Sequence, residues 1–340
     1  MALARGPRDV RGCRAVEERK IERLARAVSV VGLGTWQLGA DWGSVSAESA
    51  HAVLDTAVAE GATFFDTADV YGDGRSEQFC AELHRRQPGV LIATKMGRRV
   101  EQRPENYSWE NFLAWNDRSR ANLGVEQIDL VQLHCPPDEV YRSDEVFAEL
   151  DEMVQAGRLR AYGVSVETCE QALWAIARLH VASVQIILNC FRLRPLDEVL
   201  PAARAAGVGI IARVPLASGL LSGRIDEHTV FAADDHRNYN RHGEAFDVGE
   251  TFSGVPLDVG LAGVRELQKL LDPGVSLAQF ALRWVIDQPG VSTVIPGASS
   301  AEQVRQNVAA AALAPLREEQ LSGVREVYDR LIRQHVHDRW

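Results

Sequence analysis

The stretch TFFDTADVYG, Thr63–Gly72, carries an apolar run into a charge and then a tyrosine. Thr63, Phe64 and Phe65 read as a short buried strand, with Asp66 where that strand emerges. An unpaired carboxylate in a low-dielectric interior takes up a proton rather than stay charged, so Asp66 calls for a cationic neighbour. Lys95 closes the next apolar run, VLIATK from Val90, and is one of only three lysines, with Lys20 and Lys269. Unlike arginine, a lysine can sit close to a phenol and be tuned by its surroundings. Tyr71 follows Asp66 on the same strand-to-helix loop, so Asp66, Lys95 and Tyr71 converge if the two strands are neighbours.

Outward from this stretch, strand and helix patterns alternate. Helical spacing over 47–60, closed by Gly61, precedes strand two at 63–67, and a helix follows from about Ser76, read as its N-cap, to Arg86. Strand three is 90–94, followed by a polar, aromatic-bearing loop over 97–108 and a helix to about Asn122. Strands four, five, six and seven end at His134, Ser165, Asn189 and Val214, with helices predicted over 143–156, 168–180 and 195–206. A long connection containing helices at 257–271 and 276–287 leads to strand eight at 292–298 and a helix at 301–312. The glycine-rich turn GLGTWQLG, residues 32–39, supplies strand one, and a weak alternation over 21–31 predicts a short hairpin beneath it. Strands that are continuous apolar runs imply a parallel sheet covered by helices on its outside. An α/β fold, a closed (β/α)8 TIM barrel in a single domain with long loops after strands three and seven, is the simplest solution. A doubly wound sheet would need a GxGxxG turn leading into a helix, which is missing. Residues 1–20 read as a polar, disordered tail, and 21–340 as the barrel with a C-terminal helical segment.

With 340 residues, 46% of them hydrophobic, the chain has material for a large core. A formal net charge of −10 and the lack of a Lys/Arg run argue against nucleic acid as a partner. No apolar run approaches the length of a membrane span. The five cysteines, Cys13, Cys80, Cys135, Cys169 and Cys190, are odd in number and scattered, the pattern of reduced thiols in a cytoplasmic protein. Composition carries no signal for oligomeric state.

In a barrel of this kind the strand ends share one mouth, where active sites form. They carry Asp66, Lys95, His134, Ser165 with Gln185 and Asn189, and Arg213, with Tyr71 in the adjoining loop. Singly, His134 reads equally as a satisfied core histidine and Lys95 with Asp66 as a structural ion pair. Together they suit proton donation to a carbonyl oxygen: a nearby ammonium stabilises a phenolate, so Tyr71 becomes a usable acid while Asp66 holds Lys95 and His134 orients the oxygen. Carbonyl reduction also requires a hydride donor that side chains lack.

The chain resembles the aldo-keto reductases over roughly 28–312, through GLGTW at 32–36, FDTADVYGDGRSE at 65–77, ATK at 93–95, LVQLH at 130–134, PLASGLLSG at 215–223 and IPGASSAEQVRQN at 295–307. The resemblance implies a catalytic tetrad of Asp66, Tyr71, Lys95 and His134 with Tyr71 as general acid, and a nicotinamide cofactor, NADP(H), with NAD(H) left open and no metal. It implies a small-molecule aldehyde or ketone as the substrate. Gly34, Thr35 and Trp36 are then at the cofactor, and Ser165 and Gln185 match residues that hold the nicotinamide carboxamide. Arg213 stands where many members stack an aromatic ring. Pro215, Leu216, Ser218, Gly219, Leu221, Gly223 and Arg224 match the segment crossing the pyrophosphate, with backbone N–H groups and Ser218 suited to anionic oxygens. Gly297, Ser299, Gln303 and Asn307 match the adenosine-phosphate end, where a helix N-terminus favours negative charge. Arg305 is a further candidate at the 2′-phosphate.

Three departures stand out. Val166 replaces an asparagine that many members carry after the strand-five serine, Ser299 and Gln303 stand where some have arginine or lysine, and the usual turn that plugs the barrel bottom is shortened. The two long loops are expected to form substrate walls, the first through Tyr107, Trp109 and Trp115, the second through His228, Phe231, His236, Tyr239, His242 and Phe246, with Trp36 and Trp42 adding to the lining. His228, His236 and His242 beside Asp234 and Asp235 are too irregularly spaced for a metal site. The alternative to an enzyme is an NADPH-binding, redox-sensing regulatory subunit with little turnover.

Overall fold

The computed structural model describes residues 16–39, 45–233 and 235–340. Cys13, Trp42, Asp234 and the first fifteen residues of the expected tail lie outside them. Eight strands, β1 (Leu33–Gly34), β2 (Phe64–Asp66), β3 (Leu91–Met96), β4 (Ile128–His134), β5 (Leu159–Ser165), β6 (Val181–Ile187), β7 (Gly209–Arg213) and β8 (Val291–Val294), pair in chain order. Every neighbouring pair is parallel. Parallel bridges from Val31 to Val294 and from Gly34 to Gly297 bring the last strand back to the first. The predicted (β/α)8 barrel is what the chain adopts.

The crossover helices are α1 (Ala47–Ala59), α2 (Arg75–Arg86), α3 (Trp109–Leu123), α4 (Asp144–Gln155), α5 (Cys169–Ile176), α6 (Val199–Ala206), α7 (Leu257–Gln268), α8 (Leu277–Ile286) and α9 (Ala301–Ala309). Several begin on a side-chain cap that satisfies an otherwise unpaired N–H. Ser46, Ser143 and Ser300 each accept from a backbone N–H in the first turn of their helix, and Thr168 with Gln171 and Ser276 with Gln279 form capping boxes. Two helix starts differ from the sequence reading. Ser76 is not an N-cap: α2 begins at Arg75 behind Gly74, and Ser76 is buried, its hydroxyl bonded to Thr67 Oγ1 at 2.8 Å and to the Thr35 carbonyl at 3.1 Å. The helix expected over 195–206 divides into a turn at Arg194–Leu196 and α6, which puts Pro201 in the first turn of α6, where a missing N–H costs nothing.

Side chains alternate along each strand, and the inward set changes character with height. Its lower members, Phe64, Leu91, Ala93, Leu130, Ala161, Ala182 and Ile211, form an apolar cluster inside the barrel. Ile21, Leu24 and Val28 join that cluster from a hairpin, Glu18–Ile21 paired antiparallel with Arg26–Ser29. Residues 18–20, read above as tail, therefore belong to the plug that closes the barrel bottom, which this chain builds despite its shortened turn. The outward strand residues and the helices form the larger core around it.

Gly209 lets the plug enter. A Cβ there would stand 2.8–3.1 Å from three Ile21 side-chain carbons. Gly209→Ala is expected to destabilise the fold by about 1–3 kcal/mol through overpacking, read in urea unfolding as a lower midpoint with an unchanged slope.

Candidate active site

Two residues above the apolar cluster, on the same faces of β2 and β3, stand Asp66 and Lys95. The Lys95 ammonium donates to Asp66 Oδ2 at 2.5 Å, to the Thr67 carbonyl at 2.9 Å and to the Tyr71 hydroxyl at 3.3 Å. The three residues that the opening stretch called for are in contact. Asp66 is 3% exposed, and its second oxygen accepts from Gln132 Nε2 at 3.1 Å and Gln185 Nε2 at 2.7 Å. Burial works against the Lys95 charge, but Asp66 and Tyr71 outweigh it and hold the ammonium above its ordinary range.

Burial raises the Tyr71 phenol; Lys95 pulls it down, while Asp66 and Glu250 push it further up. The net direction is upward, so the phenol keeps its proton through neutral pH. That refines the sequence reading, in which Lys95 alone set the acidity: burial first, and then the Asp66 and Glu250 charges, outweigh its pull. His134, at the end of β4, meets the Tyr71 ring edge-on with centroids 5.9 Å apart. Burial, with Arg98, Lys95 and Arg213 nearby, holds its imidazole well below the ordinary histidine range, so it is neutral and offers one N–H.

These groups open on a cavity of about 910 Å³ that runs across the barrel mouth to the start of α9. Gly34, Thr35, Trp36, Ser165, Gln185 and Arg213 line it near Tyr71 and His134, and Pro215, Leu216, Ser218, Gly219 and Arg224 line its flank. Gly297, Ser299, Gln303 and Asn307 line the far end. There α9 begins, its first turn capped by Ser300 and the Ser299 N–H and hydroxyl turned to Gln303 Oε1 at 2.8 and 3.1 Å. Arg224 reaches Gln306 at 3.4 Å, on the cavity side of α9.

Several residues do other work than the sequence reading gave them. Leu221 is fully buried in the core and Gly223 ends a turn against Gln268 and Leu277; neither lines the cavity. The Ser218 hydroxyl donates to the Glu250 carbonyl at 2.6 Å and accepts from the Phe252 N–H at 3.2 Å, so it ties down a loop. Arg305 faces Glu302 and Glu60 away from the cavity, and Arg224 is a basic group that reaches α9 from the cavity side. Arg213 is pinned between two carboxylates, bonded to Glu167 at 3.0 Å, to Glu250, and to the Val166 carbonyl at 2.8 Å. Asn189 holds the Val214 carbonyl and Ser253 Oγ.

Of the two expected walls, the second is in place: Phe231, His236, Tyr239 and Phe246 line the cavity together with Trp36. Trp36 lies 5.3 Å from His236 and 6.0 Å from Phe246, centroid to centroid, and 6.2 Å from Tyr71 in a stacked pose. His228 and His242 are exposed instead. The first wall is not there. Tyr107 and Trp115 are buried, packing edge-on with Phe112, and Trp109 lies against the same core; none of the three lines the cavity. The helical spacing of Phe112, Trp115 and Ser119 turns that face of α3 onto the barrel.

The sequence reading missed four groups. Gln132 shares the inward face of β4 with His134, two residues away, and strand alternation was signal enough to find it. Arg98, Glu167 and Glu250 come from three different loops, and only folding brings them to Arg213.

The profile of the Aldo/keto reductase family matches residues 30–329. The aldo-keto reductase YhdN of Bacillus subtilis is 30% identical over 81% of this chain and 83% of its own. The solved glycerol dehydrogenase of Gluconobacter oxydans superposes with a TM-score of 0.75 at 29% identity, covering 94% of this chain and 96% of that one. An aldo/keto reductase from Klebsiella pneumoniae, solved with NADP and acetate, gives 0.66 at 25% identity over 89% and 93%. Sequence profile, relatives and barrel agree with the buried lysine set against a phenol, and the chain belongs to the aldo/keto reductase family of oxidoreductases.

Proposed function

We propose that this chain reduces an aldehyde or ketone to an alcohol with NADPH, Tyr71 donating the proton. The observation that carries the reading is the Tyr71 hydroxyl, 3.3 Å from the Lys95 ammonium and opening beside His134 on a cavity long enough to reach a helix N-terminus. The donor set suits a phosphorylated dinucleotide. Ser165 and Gln185 are amide partners at one end, and the start of α9 with Arg224 meets anionic oxygens at the other. The Klebsiella pneumoniae relative, solved with NADP, supports the same cofactor here.

Bound there, NADPH supplies a hydride from nicotinamide C4 to the carbonyl carbon. The neutral His134 gives its N–H to the substrate oxygen and fixes its direction toward Tyr71. As negative charge develops on that oxygen, the phenol hands over its proton, and Lys95 holds the resulting phenolate while Asp66 holds Lys95 and is itself held by Gln132 and Gln185. Trp36, Tyr239 and Phe246 offer the substrate an apolar face. His236 adds to it in neutral form, pushed down to about 4 by burial.

Tyr71→Phe is expected to lower kcat by about 100-fold or more while the fluorescence-titrated Kd for NADPH stays within about threefold; normal turnover would remove Tyr71 from the chemistry. Because the phenol is raised, its proton is present below its pKa and lost above it, so reduction should hold through neutral pH and decline only above pH 10, the ordinary phenol value. A decline centred near pH 7 would point instead to the buried Asp69, pushed up to about 7 by burial and the neighbouring Glu77. Arg224→Ala should raise KM for NADPH by about 5- to 10-fold and leave NADH unchanged, the scale of one partly exposed charge-assisted hydrogen bond. Equal losses with both cofactors would move the 2′-phosphate elsewhere. Tight NADPH binding with no oxidation over a broad carbonyl panel would favour a regulatory subunit.

A further inference from the structure

Trp340 is 5% exposed and packed against the loop over 247–254. The Arg192 guanidinium stands 3.7 Å over its indole, Nε1 donates to Asp247 Oδ1 at 2.9 Å, and its carbonyl oxygen accepts from Arg194 at 2.6 Å. The loop beneath is shaped to admit the ring. A Cβ on Gly254, whose φ is +76°, would overlap the indole, and one on Gly249 would come within 3.2 Å of it and collide with Arg192. Arg192 is itself 2% exposed, with no carboxylate at ion-pair distance among the described residues and no hydrogen-bond partner for Nε or Nη2. The indole covers the guanidinium face, and the Asp247 charge acts on it through space.

The segment that Trp340 grips leads straight to the cavity. Asp247 Oδ1 also accepts from the Gly249 N–H at 2.7 Å and so starts the turn Val248–Glu250. Glu250 then pairs with Arg213 through its carboxylate and takes the Ser218 hydroxyl on its carbonyl. Glu250, Arg213 and Ser218 all line the cavity. Phe252 and Ser253 follow with φ of +51° and +59°, a left-handed conformation that non-glycine residues hold only when their surroundings enforce it.

We propose that Trp340 is a positioning residue for cofactor binding: by clamping Arg192 and Asp247 it fixes residues 247–254, and through Glu250 it fixes Arg213 and Ser218 on the cavity wall. This rests on the reading that the cavity takes a nicotinamide dinucleotide. Trp340 touches neither Tyr71 nor Lys95, so its loss acts on affinity and not on the chemical step.

The test is Trp340→Ala in the full chain, with NADPH binding measured by calorimetry and backbone hydrogen exchange followed in the cofactor-free protein. The expected result is a Kd for NADPH weakened about 10-fold, kcat at saturating NADPH within about twofold, and most of the loss recovered in Trp340→Phe, which keeps a ring over Arg192. In a Glu250→Gln background the further effect of Trp340→Ala should shrink to less than about twofold, since both act through one contact. Additive losses, or a Kd like wild type, would overturn the proposal. Exchange should quicken over residues 217–222 and 247–254 and stay unchanged elsewhere; unaltered exchange there overturns the clamp by itself. Failure of the wild-type protein to bind NADPH would sink the reading of the cavity, while exchange would still decide the clamp. If the alanine variant does not fold, Trp340→Leu, which fills space without a ring face or an N–H, carries the same measurements.

Discussion

A lysine and an aspartate, both nearly inaccessible to water, face each other inside the barrel, and the active-site geometry follows from how that arrangement is made tolerable. Charges in a low-dielectric interior are costly, and removing one partner of such a pair strands the other at about 3–5 kcal/mol. The pair persists because its polar positions are filled. Lys95 donates to Asp66, to the Thr67 carbonyl and to Tyr71, and Asp66 also accepts from Gln132 and Gln185. A fully engaged ammonium has little freedom to move. That immobility sets where the Tyr71 hydroxyl stands beside the cavity.

The barrel separates this polar set from its own stability by height alone. The same strand faces that carry Phe64, Leu91, Leu130 and Ala161 low in the interior carry Asp66, Lys95, His134 and Ser165 further along. Alternation guarantees that residues two or four positions onward point the same way, so an apolar plug and a polar mouth lie on one set of strands. Closing the bottom with Ile21, Leu24 and Val28 seals the interior where the strand ends cannot.

A second set of charges governs the cavity wall. Arg213 lies between Glu167, whose carboxyl is held below its ordinary range against burial by Arg213 and Arg98, and Glu250, which burial and the Glu167 charge raise. Two carboxylates on one guanidinium compete, and the outcome is a rigid bridge between β7, the loop after β5 and the long loop after β7. With the Ser218 hydroxyl committed to the same loop, the wall's shape is decided by contacts among loops rather than by the barrel strands.

Asp66, Lys95 and Tyr71 were legible in the chain because a charge ending an apolar run demands a partner, and that demand is local. His134 was legible as a polar residue at the end of an apolar strand sharing the mouth with them, and the eight strands because continuous apolar runs between helical patterns admit few arrangements. Trp115 misled because the face of a helix is set by what it packs against, and Tyr107, in the loop before α3, follows it into the same aromatic cluster. Ser76 and Ser218 misled because a hydroxyl's partner depends on which backbone comes near it. The amino-acid sequence by itself determined the barrel, its polar mouth and the resemblance that names the family. Only the tertiary structure decided that Arg213 is pinned by Glu167 and Glu250, that Gln132 and Gln185 complete Asp66, and that Trp340 grips the loop beside the cavity. Desolvation cost and side-chain period are written residue by residue, whereas pairings between distant loops exist only once the barrel has brought those loops to one end.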